Sequence, residues 1–402
     1  MRLFGVVVAT LVLSGCSPES DDSATTVQIV EGGVTFDASV LPRSGFLAPP
    51  DVALESPAFR HGWSDGDVPF QTLRSAHLRS DSSIVAMDSG ANRIYVFRPD
   101  GTLADSLGGP GRGPGEFLDV FGTVLLPGDT LLVFDQRTNR VTTFAPDGDL
   151  ARTAPFSADL TFAEPAGVLA AGAVLWRTRS YRPTTDAGQV LAPVMVSSSD
   201  HTSADTIAML HSVSTVKWPG RQMALPPPLT WLTRQAATPG GFVHVAPDSA
   251  AMTWFDAATG QPLRRVSWLE DGAPVTDAFW ARYTDAQLAV RRARGADEAT
   301  LEARASQLRE QRGLAPDAAP ISRDVQSGQD GSIWIQGWDL DPASDSSEYL
   351  VVLDGGACLV RVTGENRFTF FDAADGLVLG RESGPFGEHS LVLHEAPGCP
   401  TS

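Results

Sequence analysis

The sequence predicts an all-β fold, a six-bladed β-propeller with a helical insertion, and three observations predict it. Two stretches, DSGANRIYVFRPDG at 88–101 and DQRTNRVTTFAPDG at 135–148, align without a gap at a spacing of 47 residues. Weaker strand–turn–strand units follow them, and counting gives six units from about residue 70 to residue 396. One run, 276–313, drops strand alternation for helix formers.

The chain begins MRLFGVVVATLVLSGCSPES, with a charge at Arg2 and an apolar run from Leu3 to Leu13. That run is shorter than the roughly 20 residues that a membrane span needs, so 1–15 reads as a cleaved export signal. Leu13, Ser14, Gly15 and Cys16 look like the bacterial lipobox, whose cysteine is lipidated and becomes the new N-terminus. Ser17, in place of an aspartate, favours the outer membrane by resemblance to lipoprotein sorting. The polar stretch 16–26 is then a tether, with nothing in it to bury. The expected product is an exported protein, lipid-anchored in the bacterial cell envelope. Its formal net charge of −18 disfavours nucleic acid as a partner.

The propeller is assigned to 27–396. In each of the first two units an Asp follows an apolar strand, the chain turns at Asn-Arg, and a second strand runs to Phe97 or Phe144 before Pro-Asp-Gly. Strand, turn, strand and turn at this spacing suit a propeller blade. A less regular unit covers 163–216, and others cover 240–268, 330–364 and 367–396. The early segment TVQIVEGGVTF, 26–36, is expected to add a closing strand to the last blade and so hide an open edge.

In the insertion, Thr276 or Asp277 can cap one helix, which Gly295 ends. Asp297 can cap a second, along which Leu301, Ala305 and Leu308 recur at helical spacing. Seven arginines against five acidic residues between Arg282 and Arg312 make a basic island on an acidic protein, to pack on the propeller or to serve as a lid. The tail is 397–402, and an exported protein with Cys358 and Cys399 left over most simply pairs them as a disulfide.

The segment SLGGPGRGPGEF, 106–117, invites a phosphate-loop reading that its residues refuse. Glu116-Phe117 stands where a Walker loop needs Gly-Lys-Ser/Thr, and no helix follows. The stretch reads instead as a crossing between blades, with Phe117 sinking into the gap. Here the chain resembles the bacterial six-bladed propellers related to the NHL repeat. Their blade link is matched at Gly111, Arg112, Gly113, Pro114, Gly115, Glu116 and Phe117. Their Asp-x-x-x-Asn-Arg element is matched from Asp88 to Arg93 and from Asp135 to Arg140. The resemblance is specific over 82–148, and it implies a framework role for these polar residues.

No catalytic motif is concentrated anywhere. Seven histidines form no HExxH or other zinc spacing, and a GxSxG elbow is absent. His77 and His244 start blades and are the candidates for a metal, calcium or zinc, at the channel mouth, although no cofactor is expected. Trp218 and Trp231 flank a proline-rich loop and are the candidates for a protein, peptide or carbohydrate ligand surface. The leading reading is therefore a binding or scaffolding module and leans away from an enzyme. The alternative is a metal-dependent hydrolase or lyase with its site at the mouth of the central channel.

Overall fold

The computed structural model describes residues 25–31, 34–41, 52–54, 56–62, 66–179, 185–198, 200–218, 220–247, 251–268, 272–338, 346–353, 356–363, 367–384 and 387–397. The signal segment, Cys16 and the tether up to residue 24 lie outside these residues, as does Cys399. Thr25 and Thr26, assigned to the tether, already belong to a strand.

Six sheets follow one another in the chain, each with antiparallel neighbours at its centre, as expected of six blades. The innermost strands, blades one to six, are Leu73–Leu78, Val120–Leu125, Ala163–Val168, Arg234–Thr238, Ser322–Ser327 and Arg367–Ala374. Every blade interface is a separate apolar core. Trp176 and Phe134 meet edge to face between blades two and three, and Trp334 stacks on Phe370 between five and six. Such contacts carry the stability, because a lone four-stranded sheet has two faces to cover.

Phe117 is fully buried between blade one, at Met87 and Ile94, and blade two, at Leu131 and Phe144. The glycines of the link let it arrive there. Gly108 has φ +69°, and a β-carbon on it would collide with the Phe117 ring. Glu116 accepts the Gly113 N–H at 2.7 Å, folding the loop onto itself. Asp88 accepts four backbone N–H groups, from Gln71, Thr72, Gly90 and Ala91, and so pins the start of its own blade. Asp135 takes those of Leu118 and Thr138 in the next blade. Asn92 and Asn139 hold the left-handed turns that follow, with φ of 49° and 53°.

The N-terminal arm departs from the expectation. The hairpin Thr25–Glu31 and Val34–Leu41 pairs with the outer strand of blade four, Pro262–Trp268, rather than with the last blade. Val52–Ala53 then joins blade five. Phe59–His61 is the strand that closes blade six, antiparallel to His389–Glu395. Each addition covers an edge that a blade's last strand would leave unpaired.

The helices run Asp277–Ala293 and Glu298–Gln311, between blades four and five. Thr276 accepts the Phe279 N–H and Asp297 that of Thr300, which caps both as the sequence implies. Phe279, Trp280 and Leu308 pack against Leu229, from the connection between blades three and four, and against Trp338 of blade five. The pair therefore sits at the end of the ring where the inner strands begin. Among the described residues no helix is long and apolar enough to cross a membrane.

Candidate active site in the central channel

The inner strands of all six blades enclose a cavity of about 590 Å³ on the ring axis. It reaches from Arg74 and Arg177 to Pro127, Pro239 and Gln329, exposed residues where inner strands end. A volume in this range suits a small molecule.

On one wall stands a continuous chain of three side chains. The Ser75 hydroxyl lies 2.7 Å from the Thr123 hydroxyl, which lies 2.9 Å from Nε2 of His77. Ser75 and His77 are two apart on the inner strand of blade one, so strand alternation turns both to the same side. Thr123 comes from the adjacent strand of blade two. Burial pulls the His77 imidazole down to about 4, against the bond to Thr123, so at neutral pH the ring is uncharged and can accept a proton.

Across the blade six boundary, Asp372 is buried and lines the same cavity. It accepts the backbone N–H of Leu78 at 3.0 Å and both the N–H and the Nε2–H of Gln329. Burial pushes its carboxyl up to about 6, while these hydrogen bonds pull it down. One carboxylate thus ties blades one, five and six together at the residue that follows His77.

At the other end of the cavity Arg177 reaches from blade three to blades four and five. Its Nε donates to Glu164 at 2.8 Å, and its Nη1 donates to the carbonyls of Gln235 and Val325 in blades four and five. Asp324 stands 3.2 Å from the same Nη1. Beyond it, where the inner strands begin, come Arg234, Arg323 and Arg367.

The residues singled out in the sequence are distributed differently. His77 faces the cavity, but His244 lies one strand further out in blade four, where its Nδ1 meets Gln235 Nε2 at 2.9 Å. The structure does not bring these histidines together, and among the described residues no group of three metal-ligating side chains forms. Trp231 is 40 % exposed and holds Arg323 over its ring, 5.6 Å from the centroid. Trp218 is half-buried after the long strand Ala204–Lys217. Gly111 to Phe117 lie between blades, as described, away from the channel residues. Cys358 is buried in blade five, and its expected partner lies outside the described residues. Sequence reasoning missed Ser75, Thr123 and Asp372. A partial signal was the 48-residue separation of Ser75 from Thr123, one more than the 47-residue repeat, which puts both on the inner strands of neighbouring blades one residue out of register.

No protein-family model matches the sequence, and no curated protein matches it. Solved structures do. One from Bacteroides fragilis NCTC 9343 is 11 % identical, with a TM-score of 0.51 over 89 % of this chain and 99 % of its own. A gluconolactonase from Xanthomonas campestris is 15 % identical with a TM-score of 0.40, covering 86 % of this chain and 95 % of its own. A virginiamycin B lyase from Staphylococcus aureus is 9 % identical at 0.38, covering 82 % and 83 %. The likeness shows a six-bladed propeller-like fold of bacterial type and does not single out the NHL group. It also corrects the expectation that leaned away from an enzyme: named lyases and lactonases stand among the structures this chain is similar to.

Proposed function

We propose that this chain is an enzyme of the hydrolase or lyase class whose site is the central channel. The observation that carries the reading is the Ser75–Thr123–His77 chain on the wall of a 590 Å³ cavity. A nucleophile needs a base within hydrogen-bond reach, and here that reach passes through one intermediate hydroxyl. As Ser75 Oγ bonds to an acyl carbon, its proton passes to Thr123, and the Thr123 proton passes to Nε2 of His77. Protonated His77 then returns a proton to the leaving group, and water, deprotonated along the same path, releases the acyl group. Arg74, which precedes Ser75 on the inner strand of blade one and lines the cavity, offers positive charge to a developing oxyanion. A lyase would use neutral His77 directly as the base.

The test is turnover of short-chain esters and aliphatic lactones by the purified full chain, with and without added calcium or zinc, beside Ser75→Ala. Hydrolysis that disappears in Ser75→Ala is expected. Failure of every substrate, or equal rates in the two proteins, overturns the hydrolase reading.

Export and lipid anchoring at Cys16, with placement in the outer membrane, belong to the same proposal and are supported by the lipobox-like segment. Incorporation of labelled palmitate, abolished by Cys16→Ala, checks them. Kinship with the NHL propellers is supported by the Gly111–Phe117 link and the paired Asp…Asn-Arg elements.

A further inference from the structure

The end of the ring where inner strands begin holds five arginines in one neighbourhood. Arg234 and Arg367 open the inner strands of blades four and six, and Arg323 is second in that of blade five. Arg177 and Arg381 stand on the neighbouring second strands, opposite Glu164 and Thr369. Glu164 and Asp324 lie among them, and Arg177 makes close contacts to both carboxylates. Arg234 keeps 4.0 Å from Glu164 and 3.6 Å from Asp324, and its buried Nε and Nη1 lack a hydrogen-bond partner. Nε of Arg381 is buried in the same condition, although its Nη1 donates to the Leu73 carbonyl.

These cations repel one another. Burial first, then Arg177 and Arg323, push the Arg234 guanidinium below its usual range, and Arg323 is lowered by burial and by Arg367. Concentrating positive charge in this way, on a chain whose net charge is −18, costs stability that only a counter-charge recovers. Unsatisfied guanidinium N–H groups call for a planar or tetrahedral oxyanion, which accepts in forked pairs. At the rim Trp231, beside Arg323, offers ring area on which a sugar face or an apolar ring can lie.

We propose that this end of the ring is a binding site for the oxyanion group, carboxylate or phosphate, of an anionic small molecule, held by Arg234, Arg323 and Arg381 with Trp231 beside it. The site uses none of Ser75, Thr123 and His77, and its occupancy is measured without turnover.

Titration calorimetry of the full chain with inorganic phosphate, with glucuronate and with neutral glucose, at ionic strength fixed by chloride, tests it. Saturable binding of phosphate, glucuronate or both is expected, weakened at least about ten-fold in Arg234→Gln. Arg323→Gln, nearer the rim, serves if Arg234→Gln does not fold. Arg292→Gln, on the exposed face of the insertion, should bind as the parent does. Absence of saturable binding by either anion, equal binding in the folded variant, or glucose binding as tight as glucuronate overturns the proposal.

Discussion

Arg177 and Glu164 face each other in register on the first two strands of blade three, with Nε to Oε1 at 2.8 Å, and the arginine of this pair reaches on into two further blades. Removing the carboxylate leaves a buried cation with Asp324 as its remaining acid. Glu164→Gln should therefore lower stability by about 2–4 kcal/mol, read as the shift of the denaturant midpoint.

Thr123→Val keeps shape and removes the hydroxyl between Ser75 and His77. If the proposed proton path operates, kcat on a hydrolysed ester should fall by roughly 10²–10³-fold with KM little changed. A fall confined to KM would place Thr123 in binding alone.

Acid should weaken the fold through its buried histidines. Burial pulls both His77 and His244 to about 4, below the ordinary 6.5, and His389 is lowered likewise. A depressed value means stability is intact above 6.5 and is lost as pH falls towards 4, because the unfolded chain takes up protons first. His77 should contribute roughly 2–3 kcal/mol to that loss. The unfolding free energy of His77→Gln should accordingly fall less than that of the parent between about pH 7 and about pH 4.

Phe117→Ala empties the gap between blades one and two and should cost about 3–5 kcal/mol. Gly108→Ala drives a methyl into the same ring from a backbone angle that suits glycine, and a clear drop in melting temperature is expected. A melting curve within error of the parent for either chain would contradict the packing described.

The first two blades were legible because the groups that close them are side chains acting on the backbone. Asp88 and Asp135 collect N–H groups that would otherwise be unpaired, so the same residue types return one blade later. Blade five was half legible: its second strand, at Trp334, alternates apolar residues. Its inner strand, SRDVQS, hid, since a strand edging an aqueous channel has little apolar periodicity to show. The same fact concealed the candidate site. Ser75 and Thr123 are ordinary polar residues 48 apart, and only the packing of blade one on blade two sets their hydroxyls side by side. The N-terminal arm misled because 26–36 has strand alternation that fits several open edges, and pairing, not composition, chooses among them.

The strand that completes blade six places an order on the protein's assembly. Arg60 pairs with Val392, so a strand that precedes the first blade in the chain finds its place only when the third strand of the sixth blade exists. Until then the first blade lacks its neighbour on one side, and the nascent protein is an open arc with a sticky apolar end formed by Phe70, Leu73 and Ile84. Closing the ring through residues so far apart in sequence is a distant contact of the kind that slows folding. The two halves of the latch are unequal: Phe59–His61 adds three pairs at the edge, whereas His389–Glu395 also pairs with Leu377–Ser383 and brings Leu391 and Leu393 to the core.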